Sequence, residues 1–598
     1  LFAMSLLVMA IEKPLFLLWY HAQAAEASAA ELALVVWNGL KLDQTVAGYI
    51  TALPLLVVLA ALWIPGRWSR SVLKGYLLVI AAVSATAFAA NLALYEYWAF
   101  PLDSSVLQYL ASPKEALASV TAGQLLLQLL VAAAVFGGMA WCYLRVLRLY
   151  DPARRSTHRA GSTLVLLLAA GVLFLPIRGG VSVATANVSK VYFSGRMFLN
   201  HAATNPVFSF LTTLGDHTDY ASEYPFFDET TRAAKFDALR GNGPASGPSE
   251  RVLTKTRPNV VVVILESFAR TVMDADVDGR PVMPNMRRLR DEGIWFENFF
   301  ANSFRTDRGE VAVLSGFPAQ TRMSIMKLPA KSRSLPSLAR SLAREGYATS
   351  FVYGGDLNFT NQASYMYATG WQQLVWQRDL RFDTPPSDWG YDDAVMCDWF
   401  ADRVIAQSGT GEPFLAGLLT LSSHRPFDVP FSRFDDRELN AFAFADDCVG
   451  RMVDKLKASP AWDDLLVVLV ADHGYPWPRS LSYNEPLRHR IPMIWTGGAV
   501  AGPRVVEEYA SQIDICATIL GQLEVAHDDF DYSKDIFAPT PPRKFAYYTF
   551  NDGFGVVDAS GEAVWDATSG KAVSETSPAL MDVGRTMLQT TYTDIGNR

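Results

Sequence analysis

The sequence predicts two dissimilar parts: a multi-pass α-helical membrane domain of about five spans, then an α/β domain with a mainly parallel central sheet. Three observations carry that prediction. Nearly all long apolar runs of the 598-residue chain fall before about residue 177, and each approaches the length that about 20 helical residues need to cross hydrocarbon. The connections between those runs differ in charge, as cytoplasmic and outer loops do. Beyond residue 258, continuous apolar runs alternate with amphipathic segments, the pattern of strands covered by helices on both faces.

Composition agrees with the division. A hydrophobic share of 50% and a mean hydropathy of +0.13 are too high for one soluble domain of this size. The net charge of −8, with no long basic cluster interleaved with aromatics, argues against a nucleic-acid partner. The four cysteines, Cys142, Cys397, Cys448 and Cys516, lack CxxC or metal-type spacing and read as apolar residues. The chain opens at Leu1, so a start upstream of it is expected.

The first apolar segment, Leu1 to Tyr20, carries Glu12, Lys13 and Pro14, which predict a helix that is kinked or incomplete at its start. Clearer spans follow at Thr45 to Ile64, Val72 to Leu94, Leu125 to Leu144 and Ser162 to Ile177. The connections Arg67 to Lys74 and Arg145 to Arg159, the latter with Arg154 and Arg155, are basic, whereas Ala22 to Asp43 and Glu96 to Ser119 lean acidic. Basic loops face the cytoplasm, so the N-terminus is expected inside and everything after the fifth span outside. The domain division is thus 1–177 for the membrane part, 178–257 for juxtamembrane helices and linker, 258–540 for the α/β domain and 541–598 for a C-terminal piece. In the second of these, Lys190, Tyr192, Arg196 and Phe198 are candidates to lean on headgroups or to snorkel from a juxtamembrane helix. Ala238 to Arg257, rich in Gly, Ser, Pro and charge, reads as a linker.

Strands are predicted at Val260 to Leu265, Trp295 to Phe300, Tyr347 to Tyr353, Phe414 to Leu421, Leu465 to Ala471 and Ile491 to Trp495. Helices are predicted at Pro284 to Glu292, Leu335 to Arg344, Leu439 to Ser459 and Gln512 to Leu523. The tail from Phe545 to Trp565 reads as antiparallel strands around Ser560 and Gly561, with a closing helix near Pro578 to Tyr592.

In an open parallel sheet ligands gather at the carboxyl ends of the strands. Four such ends carry chemistry: Glu266, Thr306 in the loop-to-helix stretch ANSFRTDRGEVAVLSG, His424 after LTLSS, and Asp472 with His473. Each has an ordinary reading as well. Thr306 is a good helix N-cap, Glu266 a carboxylate at a helix start, His424 a turn residue and Asp472-His473-Gly474 a polar strand exit. Together the two carboxylates, the imidazole and the hydroxyl make a plausible set of ligands for a divalent cation. A metal beside the hydroxyl would turn it into a nucleophile, and the helix N-terminus would favour a bound phosphate.

The stretches VVVVILESF, NSFRTDRGEVAVLSGFPAQ, TLSSHRPF, VADHG and HRIPMIWTGG resemble the lipoteichoic acid synthase and phosphoglycerol transferase group of the sulfatase and alkaline phosphatase superfamily. Five spans before an extracytoplasmic sulfatase-like domain is that group's layout too. The resemblance implies that Glu266, Thr306, Asp472 and His473 hold a metal, usually Mn²⁺ with Zn²⁺ or Mg²⁺ as alternatives, and that Thr306 is the nucleophile. It implies that His424 lies beside the transferred group, and it places the chain in a bacterial inner membrane. The donor would be phosphatidylglycerol, the acceptor a glycan or growing polymer. A formylglycine sulfatase would need Cys or Ser before x-Pro-x-Arg, which Thr306-Asp307-Arg308-Gly309 does not offer. The sequence departs from the group in the loop YGGDLNFTNQ, where Gln362 stands in place of an expected Arg. Asp356, Phe359 and Asn361 are then candidates to bind the headgroup, with Arg308 or Lys327 reaching its phosphate and His489 approaching from the last strand. A phosphoethanolamine transferase or phosphodiesterase of the superfamily, or a non-catalytic membrane scaffold, are the competing readings.

Overall fold

Five long apolar helices open the chain: α1 (Phe2–Trp19), α2 (Ala29–Trp63), α3 (Trp68–Trp98), α4 (Ala122–Leu147) and α5 (Arg159–Arg178). Each is long and apolar enough to cross a membrane, and the protein is a membrane protein. The computed structural model describes residues 1–64, 66–104, 106–107, 122–152, 158–214, 218–240, 249–478, 481–539, 543–551 and 553–598. The chain divides into two units, Leu1–Thr218 and Asp219–Arg598.

In the first unit three expectations change. The helix α1 continues through Pro14, and the Lys13 ammonium at its middle forms a buried ion pair with Asp43 of α2. Asp43 also accepts from Asn205 Nδ2 at 2.8 Å, so the charge that suggested an interrupted helix is neutralised inside the bundle. The helix α2 starts at Ala29 rather than Thr45, which makes most of the acid-leaning Ala22 to Asp43 connection helical. A capping box starts it: Ser28 Oγ accepts from Glu31 N–H at 3.3 Å and the Glu31 carboxylate from Ser28 N–H at 2.8 Å. Lys190 and Tyr192, considered for headgroup contact, are buried, and Lys190 donates to the Gly179 carbonyl at 2.6 Å. Much of the Glu96 to Ser119 connection, and Arg154 and Arg155 in the basic loop, lie outside the described residues.

The second unit is built on eight strands: β1 (Asn259–Leu265), β2 (Ile294–Phe296), β3 (Ala348–Tyr353), β4 (Gln373–Trp376), β5 (Phe414–Leu419), β6 (Leu465–Ala471), β7 (Met493–Thr496) and β8 (Arg504–Val506). Their order is β8-β2-β7-β6-β1-β5-β3-β4. Only β7 runs against the rest. The central strand β1, NVVVVIL, is buried at every position, as a β-branched strand covered on both faces must be. Its register with β6 pairs Leu265 with Ala471. The next residues, Glu266 and Asp472, therefore leave the sheet side by side.

The helices that matter for the site are α6 (Thr306–Ser315), α7 (Gln362–Ala368), α8 (Asp393–Ser408) and α9 (Arg437–Lys457). The stretch expected as one strand from Trp295 to Phe300 is two: β2 in the main sheet, and Phe299–Phe300, which pairs with Ala510–Ser511. The final expected strand, β7, is antiparallel. Of the expected linker, residues 241–248 lie outside the described residues, and the part after them is packed down: Val252 and Leu253 are buried and Val252 N–H donates to Gln522 at 2.9 Å. The tail forms four antiparallel strands, β9 (Phe545–Phe550), β10 (Gly553–Asp558), β11 (Gly561–Asp566) and β12 (Lys571–Glu575), against which α10 (Pro578–Asn597) packs.

Candidate active site at the carboxyl ends of the central strands

Glu266, Asp472 and His473 come together with ligand atoms all within 4.8 Å of one another. Backbone groups hold them there. Asp472 Oδ1 accepts from the N–H groups of Ser267 and His473, each at 2.7 Å, while Glu266 N–H donates to Thr420 at 2.9 Å. The Ser423 hydroxyl donates to the Glu266 carbonyl at 2.6 Å. His473 Nε2 lies 3.4 Å from Asp472 Oδ2 and 3.8 Å from Glu266 Oε1.

Thr306 joins this group from a separate element. It is the first residue of α6, with Arg305 in the N-cap position, so it does not cap the helix. Its hydroxyl donates instead to Glu266 Oε2 at 3.3 Å. Gly309 lets α6 come this close, because a Cβ there would lie 2.1 Å from the Asp472 carbonyl oxygen.

The electrostatics favour a cation. Burial, and then the charge of Asp472, pushes the Glu266 carboxyl up to about 7, against the pull of His473 and His424. Burial pushes Asp472 up to about 6 despite the two N–H groups on it. Asp472 Oδ2 has no hydrogen-bond donor among the described residues, and burial lowers the pKa of His473, keeping its imidazole neutral. Two crowded carboxylates, an acceptor without a donor and a neutral imidazole are what a divalent cation would satisfy.

His424 is half-buried beside the cluster, close enough for its charge to act on Glu266. Its Nδ1–H donates to the Arg425 carbonyl at 2.7 Å, which leaves Nε2 for other chemistry. The ring packs on Trp389 at 4.3 Å between centroids, and Phe359 stands edge-on to the same Trp389 at 5.7 Å. His424 and Phe359 thus share one aromatic wall. Asp356 serves its own turn, accepting from Asn358 N–H and Nδ2 at 3.0 and 2.7 Å. Asn361 has a left-handed backbone, φ 68°, and its buried Oδ1 has no donor among the described residues. Gln362, at the start of α7, is buried.

His489 is buried, stacked on Tyr548 at 4.0 Å, and bonded through Nε2 to the Tyr483 carbonyl at 2.8 Å; burial lowers its pKa to about 3. Lys327 pairs with Asp307 at 3.4 Å. Arg308 is buried at 4% exposure over the Phe304 ring, at 5.1 Å, and Nε and Nη1 have no acceptor among the described residues. Arg488, not singled out in the sequence, is its counterpart. It is 5% exposed and lies over Tyr483 at 4.9 Å, again with Nε and Nη1 unpaired. Phe304 and Tyr483 are themselves in contact at 4.7 Å. Two buried guanidinium groups that form no ion pair among the described residues flank one aromatic pair just before Thr306, an arrangement suited to an anion. Sequence held a partial signal for Arg488, which precedes His489 in RHRIPM, but none for its burial.

Residues 258–525 match the Sulfatase family model. This part of the chain is similar to sulfatase-family domains. Among its relatives are phosphoglycerol transferase I of Xanthomonas axonopodis pv. citri, 26% identical over 313 residues (48% of this chain and 43% of that protein), and lipoteichoic acid synthase 2 of Bacillus subtilis, 24% identical over 307 residues (46% of each). The chain spans under half the length of these curated relatives. The sulfatase-family fold is shared with a protein of the alkaline phosphatase superfamily from Vibrio parahaemolyticus, with a TM-score of 0.55 at 22% identity over 63% of this chain and 98% of that one. It is shared as well with the lipoteichoic acid synthase LtaP from Listeria monocytogenes, with a TM-score of 0.53 at 22% identity over 61% and 98%. At that identity the two structures establish the fold alone.

Proposed function

We propose that this protein is a membrane-bound phosphoglycerol transferase that moves glycerophosphate from phosphatidylglycerol to a hydroxyl of a glycan or growing polymer outside a bacterial inner membrane. The relatives named above support glycerophosphate transfer. The observation that carries the chemistry is the Thr306 hydroxyl, 3.3 Å from Glu266 at the edge of the Glu266–Asp472–His473 cluster. Glu266, Asp472, His473 and the Thr306 oxygen would hold a divalent cation, Mn²⁺ before Zn²⁺ or Mg²⁺, which would stabilise phosphoryl charge and ease loss of the Thr306 proton.

In the first step Thr306 Oγ1 attacks the phosphorus and passes its proton toward Glu266. The bond from phosphorus to the diacylglycerol oxygen breaks, and His424, entering the step as the doubly protonated imidazolium, gives its Nε2 proton to that oxygen, a contribution of about 10² to 10⁴ in rate. The headgroup phosphate, now esterified to Thr306, keeps its charge near Arg308 and Arg488. An acceptor hydroxyl then attacks the same phosphorus and gives its proton to His424, while the bond from phosphorus to Thr306 Oγ1 breaks and Glu266 returns the proton to that oxygen. The apolar helices keep a lipid donor and the outer unit on one membrane.

The test is full-length protein incubated with headgroup-labelled phosphatidylglycerol. Label recovered on the Thr306 peptide, and absent from Thr306→Ala, is the expected result. Turnover of labelled phosphatidylethanolamine in its place would assign a different headgroup, and no label from either lipid would refute the reading.

A further inference from the structure

The first unit contains a polar group that the transfer chemistry does not use. Glu12 sits inside α1, about 10 Å along the axis from its end at Trp19, and so within the hydrocarbon layer that this helix is long and apolar enough to cross. It is 4% exposed, and neither carboxylate oxygen has a hydrogen-bond donor among the described residues. The neighbouring ammonium of Lys13 is already committed to Asp43, which receives Asn205 as well. Two carboxylates thus face one ammonium. The Tyr143 hydroxyl, on α4, is buried next to Ser5 and close enough to feel the Glu12 charge.

Glu12 lines a groove of about 750 Å³ between α1, α3 and α4. The other walls are apolar: Leu15 and Leu18 on α1, Leu92 on α3, Val131 and Val135 on α4. Leu15 and Leu18 are 42% and 70% exposed, so in a bilayer the groove opens sideways to lipid. An ionisable side chain at this depth is costly unless something engages it. The engaging ligand must bring hydrogen-bond donors for Glu12 and apolar chains for the walls. It must also be uncharged, because a phosphate drawn into this apolar groove would lose its hydration and find no cation to pair with, Lys13 being committed to Asp43.

We propose that this groove binds a diacylglycerol-type lipid, its acyl chains along Leu15, Leu18, Val131 and Val135 and its free hydroxyl donating to a Glu12 carboxyl oxygen. The site is independent of the metal cluster in the second unit. Diacylglycerol is also what the proposed transfer would release, but the argument for the groove uses only its own residues and would stand if the outer unit acted on another lipid.

The experiment uses full-length protein in nanodiscs with a diacylglycerol carrying a photoactivatable acyl chain, the crosslinked peptides being mapped by mass spectrometry. Label is expected on α1 and α4 near Glu12. Glu12→Leu should cut it about fivefold, as loss of one buried hydrogen bond predicts, whereas Glu12→Gln, which keeps an acceptor, should stay within about twofold. Val135→Trp, which fills the groove and leaves Glu12 intact, should abolish it, and decides the matter if Glu12→Leu fails to fold. Label spread evenly over the lipid-facing helices, or unchanged in Val135→Trp, overturns the proposal. Displacement by an equal amount of phosphatidylglycerol overturns the choice of an uncharged occupant. Lipid consumption in the headgroup assay is a separate readout, so either reading can fail without the other.

Discussion

Gly309 and Asp472 touch: a Cβ on the glycine would lie 2.1 Å from the aspartate's carbonyl oxygen. That contact sets how far α6 can advance toward the end of β6, and so how near Thr306 comes to the carboxylates. Gly309→Ala should push the start of α6 outward. We expect turnover to fall by on the order of 10²-fold through misplacement of the nucleophile, with the fold retained, as measured by lipid turnover beside a thermal melt. Unchanged turnover would show that the close approach is incidental.

Thr306→Ala should lower diacylglycerol release by on the order of 10³-fold or more, while metal binding, measured by calorimetry, persists on Glu266, Asp472 and His473. Release at the parent rate would remove Thr306 from the mechanism.

Metal affinity should rise with pH. Glu266, at about 7, and Asp472, at about 6, must both lose their protons to bind a cation, so affinity should climb between about pH 5 and 8 and then level off. The metal-free fold should behave oppositely. Folded Glu266 binds a proton more tightly than its ordinary value of 4.5, so between about 4.5 and 7 the native state holds more protons than the unfolded chain. Stability of the metal-free protein should therefore decline as pH rises through that window. Melts with and without chelator, at a series of pH values, test both signs.

Arg488 is a buried cation with Nε and Nη1 unpaired. Arg488→Met should raise the melting temperature, because it removes an uncompensated charge at similar volume. It should also raise KM about tenfold or more if the guanidinium meets substrate phosphate, as charge-assisted hydrogen bonds are worth. A higher melting temperature with unchanged KM would assign Arg488 no part in binding.

What the residues alone determined is a matter of local pattern. Length and apolarity mark the five spans, continuous β-branched runs such as VVVVIL mark strands buried on both faces, and a hydroxyl, carboxylates and histidines after such strands mark a chemical edge. Each depends on neighbours in the chain, so each is legible there. Tertiary structure decided the rest because it depends on register and close approach between distant segments. Leu265 opposite Ala471 sets Glu266 beside Asp472, and Gly309 against Asp472 brings in Thr306. The same reason hid Arg488, whose significance is its burial next to Phe304 and Tyr483, and Glu12, which looks like an interruption in an apolar run until the helices around it form a groove.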